Sequence, residues 1–227
     1  MNYEHIKEGV FLERLNRFVA RVAVDGEESW CHVKNTGRCR ELLVPGTKAL
    51  VSENGHPGRK TRFDLISVYK GDRLVNIDSQ APNRVAEEWV RTGGLGADAS
   101  KVIREKTWGD SRLDLYAEMG ERRIFMEVKG VTLEEDGVAR FPDAPTQRGI
   151  KHLKELERCL KAGYEAYILF VIQMEGIRYF EPNRAAHPEF ADALVSACQA
   201  GVHILAYDCH VGRDSLTLHS EIPVLLR

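Results

Sequence analysis

The 227-residue sequence holds no run of about 18 apolar residues, which excludes a membrane-spanning helix. Its opening, MNYEHIKEG, lacks an apolar signal core, so a cytoplasmic location is expected. Cysteine is scarce: Cys31, Cys39, Cys159, Cys198 and Cys209 form no C-x-x-C pair, which argues against a disulfide framework or a zinc site. There are no repeats, no low-complexity tracts and no helix-turn-helix pattern, so base reading through a recognition helix is not expected. The tight polar turn Asn35-Thr36-Gly37-Arg38 is unlike a nucleotide P-loop; it fits a simple reversal of the chain better than a phosphate held by backbone N–H groups, the other reading. Excess positive charge is missing too: the net charge is −2. Residues 1–84 hold 14 basic and 11 acidic side chains, whereas residues 85–227 hold 18 and 23. Affinity for a polyanion must therefore come from local patches.

What is present centres on WGDSRLDLYAEMGERRIFMEVKG, residues 108–130. Leu113, Leu115 and Ala117 alternate with Arg112, Asp114 and Tyr116; beyond a turn at Met119-Gly120, Ile124, Met126 and Val128 alternate with Phe125, Glu127 and Lys129. Period-two alternation predicts two strands of a hairpin. Glu127 and Lys129 then share one face, and Asp114 joins them from the neighbouring strand. Two carboxylates suit Mg²⁺ or Mn²⁺, and a lysine beside them can orient a water or neutralise charge on phosphorus. The D…E-x-K pattern is similar to the active-site core of the PD-(D/E)XK nucleases. E-x-K alone fits a solvated strand face with an incidental ion pair better than an active site, so the surroundings matter.

Those surroundings supply Glu105, expected at the end of a helix as a third carboxylate, and a Gly109–Ser111 loop leading to Asp114. Downstream, Pro145 and Gly163 bracket a helix whose buried stripe is expected to be Ile150, Leu153, Leu156 and Leu160. Arg148, His152 and Glu155 then fall on the opposite side, with Arg148 and His152 placed to contact a phosphate or buttress the carboxylates.

From Val10 to Ile77 short alternating segments separated by Asp25-Gly26 and Gly71-Asp72 predict a small barrel, an architecture with an open face for oligonucleotides. Arg17, Arg38, Arg59, Lys60 and Arg62 are its candidate DNA contacts, against the alternative that Arg17 and Arg38 serve buried ion pairs. The boundary is set at residues 82/83, where helical periodicity begins with Asn83 as a cap. Beyond it, Ala166–Gln173 is a buried strand, Pro188–Ala200 a helix and Val202–Tyr207 a further strand, which together predict a mixed sheet. Gln173, at the end of its strand, could reach the carboxylates.

The strings RLNRFVARV, NTGRCRELLVPG, RKTRFDLISV, WGDSRLDL, MEVKGVTLEEDGVARFPDAPTQRGIKHLKEL and LFVIQM resemble, in this order, the sugar fermentation stimulation protein A family. The resemblance runs from Gly9 to Val224. It departs at His187, where an aspartate is expected before the proline, and Leu113 rather than proline precedes Asp114. It implies an α+β chain: an N-terminal OB-fold-like β-barrel over residues 1–82, binding nucleic acid, followed by a mixed-sheet α/β PD-(D/E)XK nuclease-like domain over 83–227. The expected function is DNA binding with a nuclease-type site. Asp114 and Glu127 would hold Mg²⁺ or Mn²⁺, Lys129 would position water, and Glu105 would assist. The alternatives are a non-catalytic DNA-binding regulator of sugar (maltose) catabolism genes and metal chemistry on a small phosphorylated metabolite. DNA is the expected partner, without strong sequence specificity; no membrane is involved, and a homodimer is compatible with the sequence.

Overall fold

The computed structural model describes residues 1–53 and 58–227. It divides into two compact units. The first is Met1–Ala81 with two returning segments, Gln173–Glu175 and Cys209–Thr217; the second is Pro82–Ile172, Gly176–Asp208 and Leu218–Arg227.

The first unit is built from β1 (Ile6–Arg14), β2 (Val19–Val24), β3 (Glu27–Val33), β4 (Lys48–Glu53), β5 (Phe63–Lys70) and β6 (Arg73–Asn76). Strand order is β3-β2-β1-β4-β5-β6, and a parallel pairing of β3 with β5 closes the first five into a barrel. Closure removes the open edges that a lone sheet would expose. Alternation does the filling: Ala20, Val22 and Val24 of β2 are buried, as are Cys31 and Val33 of β3. Asp25 and Gly26, both at positive φ, make the two-residue turn between these strands.

The rest of the chain runs α1 (Ala81–Arg91), β7 (Lys101–Trp108), β8 (Ser111–Met119), β9 (Arg122–Val131), β10 (Leu133–Glu135), β11 (Val138–Phe141), α2 (Gln147–Lys161), β12 (Glu165–Ile172), β13 (Tyr179–Pro182), α3 (Pro188–Gln199), β14 (His203–Val211) and β15 (Leu216–Glu221), the ends of the last two returning to the first unit. Six strands form one sheet in the order β15-β14-β12-β9-β8-β7, and β10, β11 and β13 form a second, smaller one. β12 lies parallel to both β9 and β14, whereas β7, β8 and β9 form an antiparallel meander. From Ala166 to Ile172 β12 is wholly buried, as a continuous apolar run in a central strand must be. Thr146 caps α2, its hydroxyl accepting the Gly149 amide at 3.0 Å.

One expected element is replaced. The segment leading to Glu105 is a strand, not a helix: Lys101–Trp108 pairs along β8 as the sheet edge. Its charged side chains suit an edge, where they deter pairing with another chain. The Gly109–Ser111 loop is the tight turn of that hairpin, with Gly109 at φ 53°.

Candidate functional site

β8 and β9 pair from Met119↔Arg122 to Leu115↔Met126, and the register ends there. The next residues are Asp114 and Glu127. In the gap, Asp114 Oδ2 accepts the Val128 amide at 2.9 Å, so a carboxylate stands in for the missing ladder carbonyl. Asn83 of α1 donates to the other oxygen, Oδ1, at 2.9 Å. Both carboxylate oxygens are thereby oriented, each keeping lone-pair capacity.

Glu127 is 1% exposed. Its Oε1 accepts from Lys129 Nζ at 2.5 Å and from His152 Nδ1. His152 Nε2 faces Arg148 Nε at 3.4 Å, and an acceptor role there leaves the ring proton of a neutral imidazole on Nδ1, pointing at Glu127. Glu127 Oε2, in contrast, is buried with no hydrogen-bond partner among the described residues. Beside this polar row the same face carries Phe125, packed with Tyr116, Trp108 and Tyr164 at centroid separations of 4.8–5.3 Å.

The two carboxylates are driven apart electrostatically. Burial pushes the Asp114 pKa above the usual aspartate value, and the charge on Glu127 adds to it; the bonds from Val128 and Asn83 and the charge of Lys129 offset this only in part. Burial also acts against the Glu127 charge, but the His152 hydrogen bond and the Lys129 charge outweigh it and leave that carboxyl below its ordinary range. Two anionic groups held this closely in a dry setting favour a cation. No three His, Cys, Asp or Glu side chains among the described residues are arranged to hold a metal by themselves.

Of the expected site residues, Asp114, Glu127, Lys129, His152 and Arg148 come together. Glu105 does not join them in this structure: φ there is 54°, its side chain is half exposed, and it pairs with Arg112 at 3.4 Å. Glu105→Ala is therefore expected to change stability by less than about 0.5 kcal/mol and to leave any Mn²⁺-induced rise in Tm intact, as thermal melts with and without Mn²⁺ would register.

Helix α2 also differs from expectation. Its buried residues are Gly149, His152, Leu153, Glu155, Leu156 and Cys159, while Ile150 and Leu160 are only partly covered. His152 and Glu155 are inside because the helix packs over the sheet face bearing Glu127, where polar groups find polar partners. Glu155 accepts from Arg158 at 2.7 Å, and Lys151 ties the helix to the Asp110 carbonyl at 3.0 Å. Asn83 lies inside α1 and orients Asp114 instead of capping the helix, a role no local pattern announces. Gln173 donates to Asn76 Oδ1 and the Asp78 carbonyl, so its amide is already committed.

On the barrel, Arg59 pairs with Asp64 and Arg62 with Glu53, each at 2.8 Å, which neutralises much of that loop; Lys60 is exposed. Arg17 and Arg38 are in no ion pair among the described residues and line a shared cleft.

Two family models match: residues 12–77 as the SfsA N-terminal OB domain, and residues 80–215 as the sugar fermentation stimulation protein RE domain. The chain belongs to the sugar fermentation stimulation protein family. A family homolog of Desulfitobacterium hafniense is 54% identical over 226 residues, covering 100% of this chain and 99% of its own length. One of Clostridium beijerinckii is 50% identical with 100% of both chains covered. Among solved structures, Pyrococcus furiosus SfsA in complex with Ca²⁺ matches with a TM-score of 0.87 and 30% identity, covering 99% of this chain and 98% of that one. The family thus has the α+β architecture described above, an OB barrel followed by a mixed-sheet domain.

Proposed function

We propose that this family member is a divalent-metal-dependent phosphodiester hydrolase of the PD-(D/E)XK type, acting on DNA held in part by its barrel. The observation that carries the reading is Glu127 Oε2, buried with no hydrogen-bond partner among the described residues, on the face that bears Lys129. Two hard oxygen donors suit Mg²⁺ or Mn²⁺. The Pyrococcus furiosus relative's complex with Ca²⁺, another oxygen-seeking cation, supports the choice of ion class.

Asp114 and Glu127 would hold the ion. When bound, it supplies a more acidic water and draws charge from a phosphoryl oxygen. Asn83 and the Val128 amide keep the Asp114 carboxylate in one orientation, and His152 does the same for Glu127. The Lys129 ammonium, which the structure places on Glu127, would orient the attacking water and offset charge growing on phosphorus. Arg148, exposed in the first turn of α2, can approach a non-bridging phosphate oxygen.

The second reading is a DNA-binding regulator that uses this fold without cleavage, and one observation favours it: the site has two carboxylates, with Glu105 turned to Arg112. Supercoiled plasmid and single-stranded DNA incubated with Mg²⁺ or Mn²⁺ separate the two. Cleavage stopped by EDTA, and lowered about a hundredfold in Lys129→Ala with DNA binding retained, is the expected result. Binding that EDTA leaves unchanged, with no cleavage in either metal, would establish the regulator instead.

A further inference from the structure

The barrel carries a cleft of about 460 Å³ lined by Arg14, Arg17, Arg38 and Arg40, together with Asn16 and Thr36, and no acidic residue among the described residues lines it. The four arginines are not equivalent. Arg14 is a staple: its guanidinium donates to the backbone carbonyls of Asn16, Arg17, Asn35, Gly37 and Arg38 at 2.6–3.2 Å. It thereby locks the β1–β2 loop to the turn after β3. That turn is also held from within, since Asn35 Oδ1 accepts the Gly37 amide at 2.8 Å. Asn16 Oδ1 accepts the amides of Phe18 and Val19, which fixes the opposite wall. Cys39, at φ 45°, turns a buried side chain inward between Arg38 and Arg40.

Arg17, Arg38 and Arg40 are exposed, and no hydrogen bond or ion pair engages their guanidinium groups among the described residues. Three like charges around one rigid cleft repel each other unless an anion occupies it. Planar guanidinium forks match phosphate oxygens in a way that ammonium groups do not. A phosphodiester brings one negative charge and a phosphomonoester close to two, and only the latter approaches the charge presented. The volume decides the remainder: it is in the range of small-molecule sites and far exceeds a bare phosphate, so there is room for the group the phosphate is attached to.

We infer that this cleft binds a phosphomonoester: the phosphorylated end of a nucleic-acid strand, or the same group on a free nucleotide. The preference for a strand end rests on the proposed action on DNA; the phosphomonoester chemistry stands without it. Phe18, adjacent to Arg17 and 51% exposed, offers a surface on which a terminal base could stack.

The test is fluorescence anisotropy in EDTA with one single-stranded oligonucleotide carrying a terminal phosphate or a terminal hydroxyl, alongside calorimetry with a nucleoside monophosphate. The phosphorylated strand is expected to bind about tenfold tighter, and Arg38→Ala or Arg40→Ala to reduce that preference to less than about twofold. Arg38→Lys, which keeps the charge and loses the fork, should retain part of it and serves if the alanine variants fold poorly. Monophosphate binding that depends on the same arginines, without any preference between strands, would assign the cleft to a free nucleotide. Equal affinity for both strands with no monophosphate binding would overturn the inference, as would a preference that survives Arg38→Ala and Arg40→Ala in folded protein. Failure of the nuclease reading looks different: no metal-dependent cleavage, whatever the cleft prefers.

Discussion

Asp114→Asn is expected to raise the melting temperature of the metal-free protein at neutral pH while lowering metal-dependent DNA cleavage by about 10³-fold or more, at or beyond the upper end for one preorganised electrostatic contact. Both halves come from one cause. Burial and the Glu127 charge raise the Asp114 pKa in the folded chain above its unfolded value. A group shifted upward binds its proton more tightly when folded, so its contribution to stability is complete below the ordinary aspartate pKa of about 3.9 and is lost as pH rises through the folded-state value. Asparagine has no charge to bury. The variant's advantage should therefore be small below the ordinary aspartate pKa of about 3.9, grow as pH rises above it, and level off once the folded-state carboxyl has ionised. Its amide oxygen can still accept the Val128 N–H, so the gap between β8 and β9 stays bridged.

Metal reverses the order. A cation that binds only folded wild type adds about 2.7 kcal/mol at a hundredfold excess over Kd, whereas the variant has lost one of two carboxylate ligands and should gain little. Differential scanning fluorimetry across pH, with EDTA or Mn²⁺, reads both effects. Equal Mn²⁺ stabilisation of variant and wild type would remove Asp114 from the metal site. A metal-free variant less stable than wild type at pH 8 would contradict the proposed burial of charge.

Phe170→Ala is expected to destabilise the sheet unit by about 3–5 kcal/mol, the usual range for truncating a buried aromatic. Phe170 is fully buried in β12, stacked on Phe180 at 4.1 Å and packed against Phe141 at 5.6 Å. It lies opposite Lys129 in the β9–β12 register, so the cavity would open beside the strand that carries Glu127 and Lys129. Urea unfolding followed by Trp89 and Trp108 should show a lower midpoint with an unchanged slope. A loss below about 1 kcal/mol would mean that the surrounding rings collapse to fill the space. The contrast with Asp114→Asn is diagnostic: one variant loses activity and gains apo stability, the other loses stability first.

The sequence by itself determined the strand hairpin and the pairing of Asp114, Glu127 and Lys129 on one face. Side chains on a strand alternate strictly, so a local pattern is enough to assign them to sides. The barrel strands were legible for the same reason, and β12 from its unbroken apolar run, which suits a strand covered on both faces. Helix α2 was legible as a helix, from Pro145 to Gly163, but its buried side was not. Which stripe of a helix is covered depends on what it meets, and here the sheet offers Glu127 as a partner that makes an interior His152 affordable. Likewise, Lys101–Trp108 has the composition of an exposed segment, and only pairing along β8 makes it a strand. Asn83 acquires its partner 31 residues away through the fold alone. Local periodicity thus put the two carboxylates and the lysine on one face, while tertiary packing decided which groups hold them in place, because that depends on contacts distant in sequence.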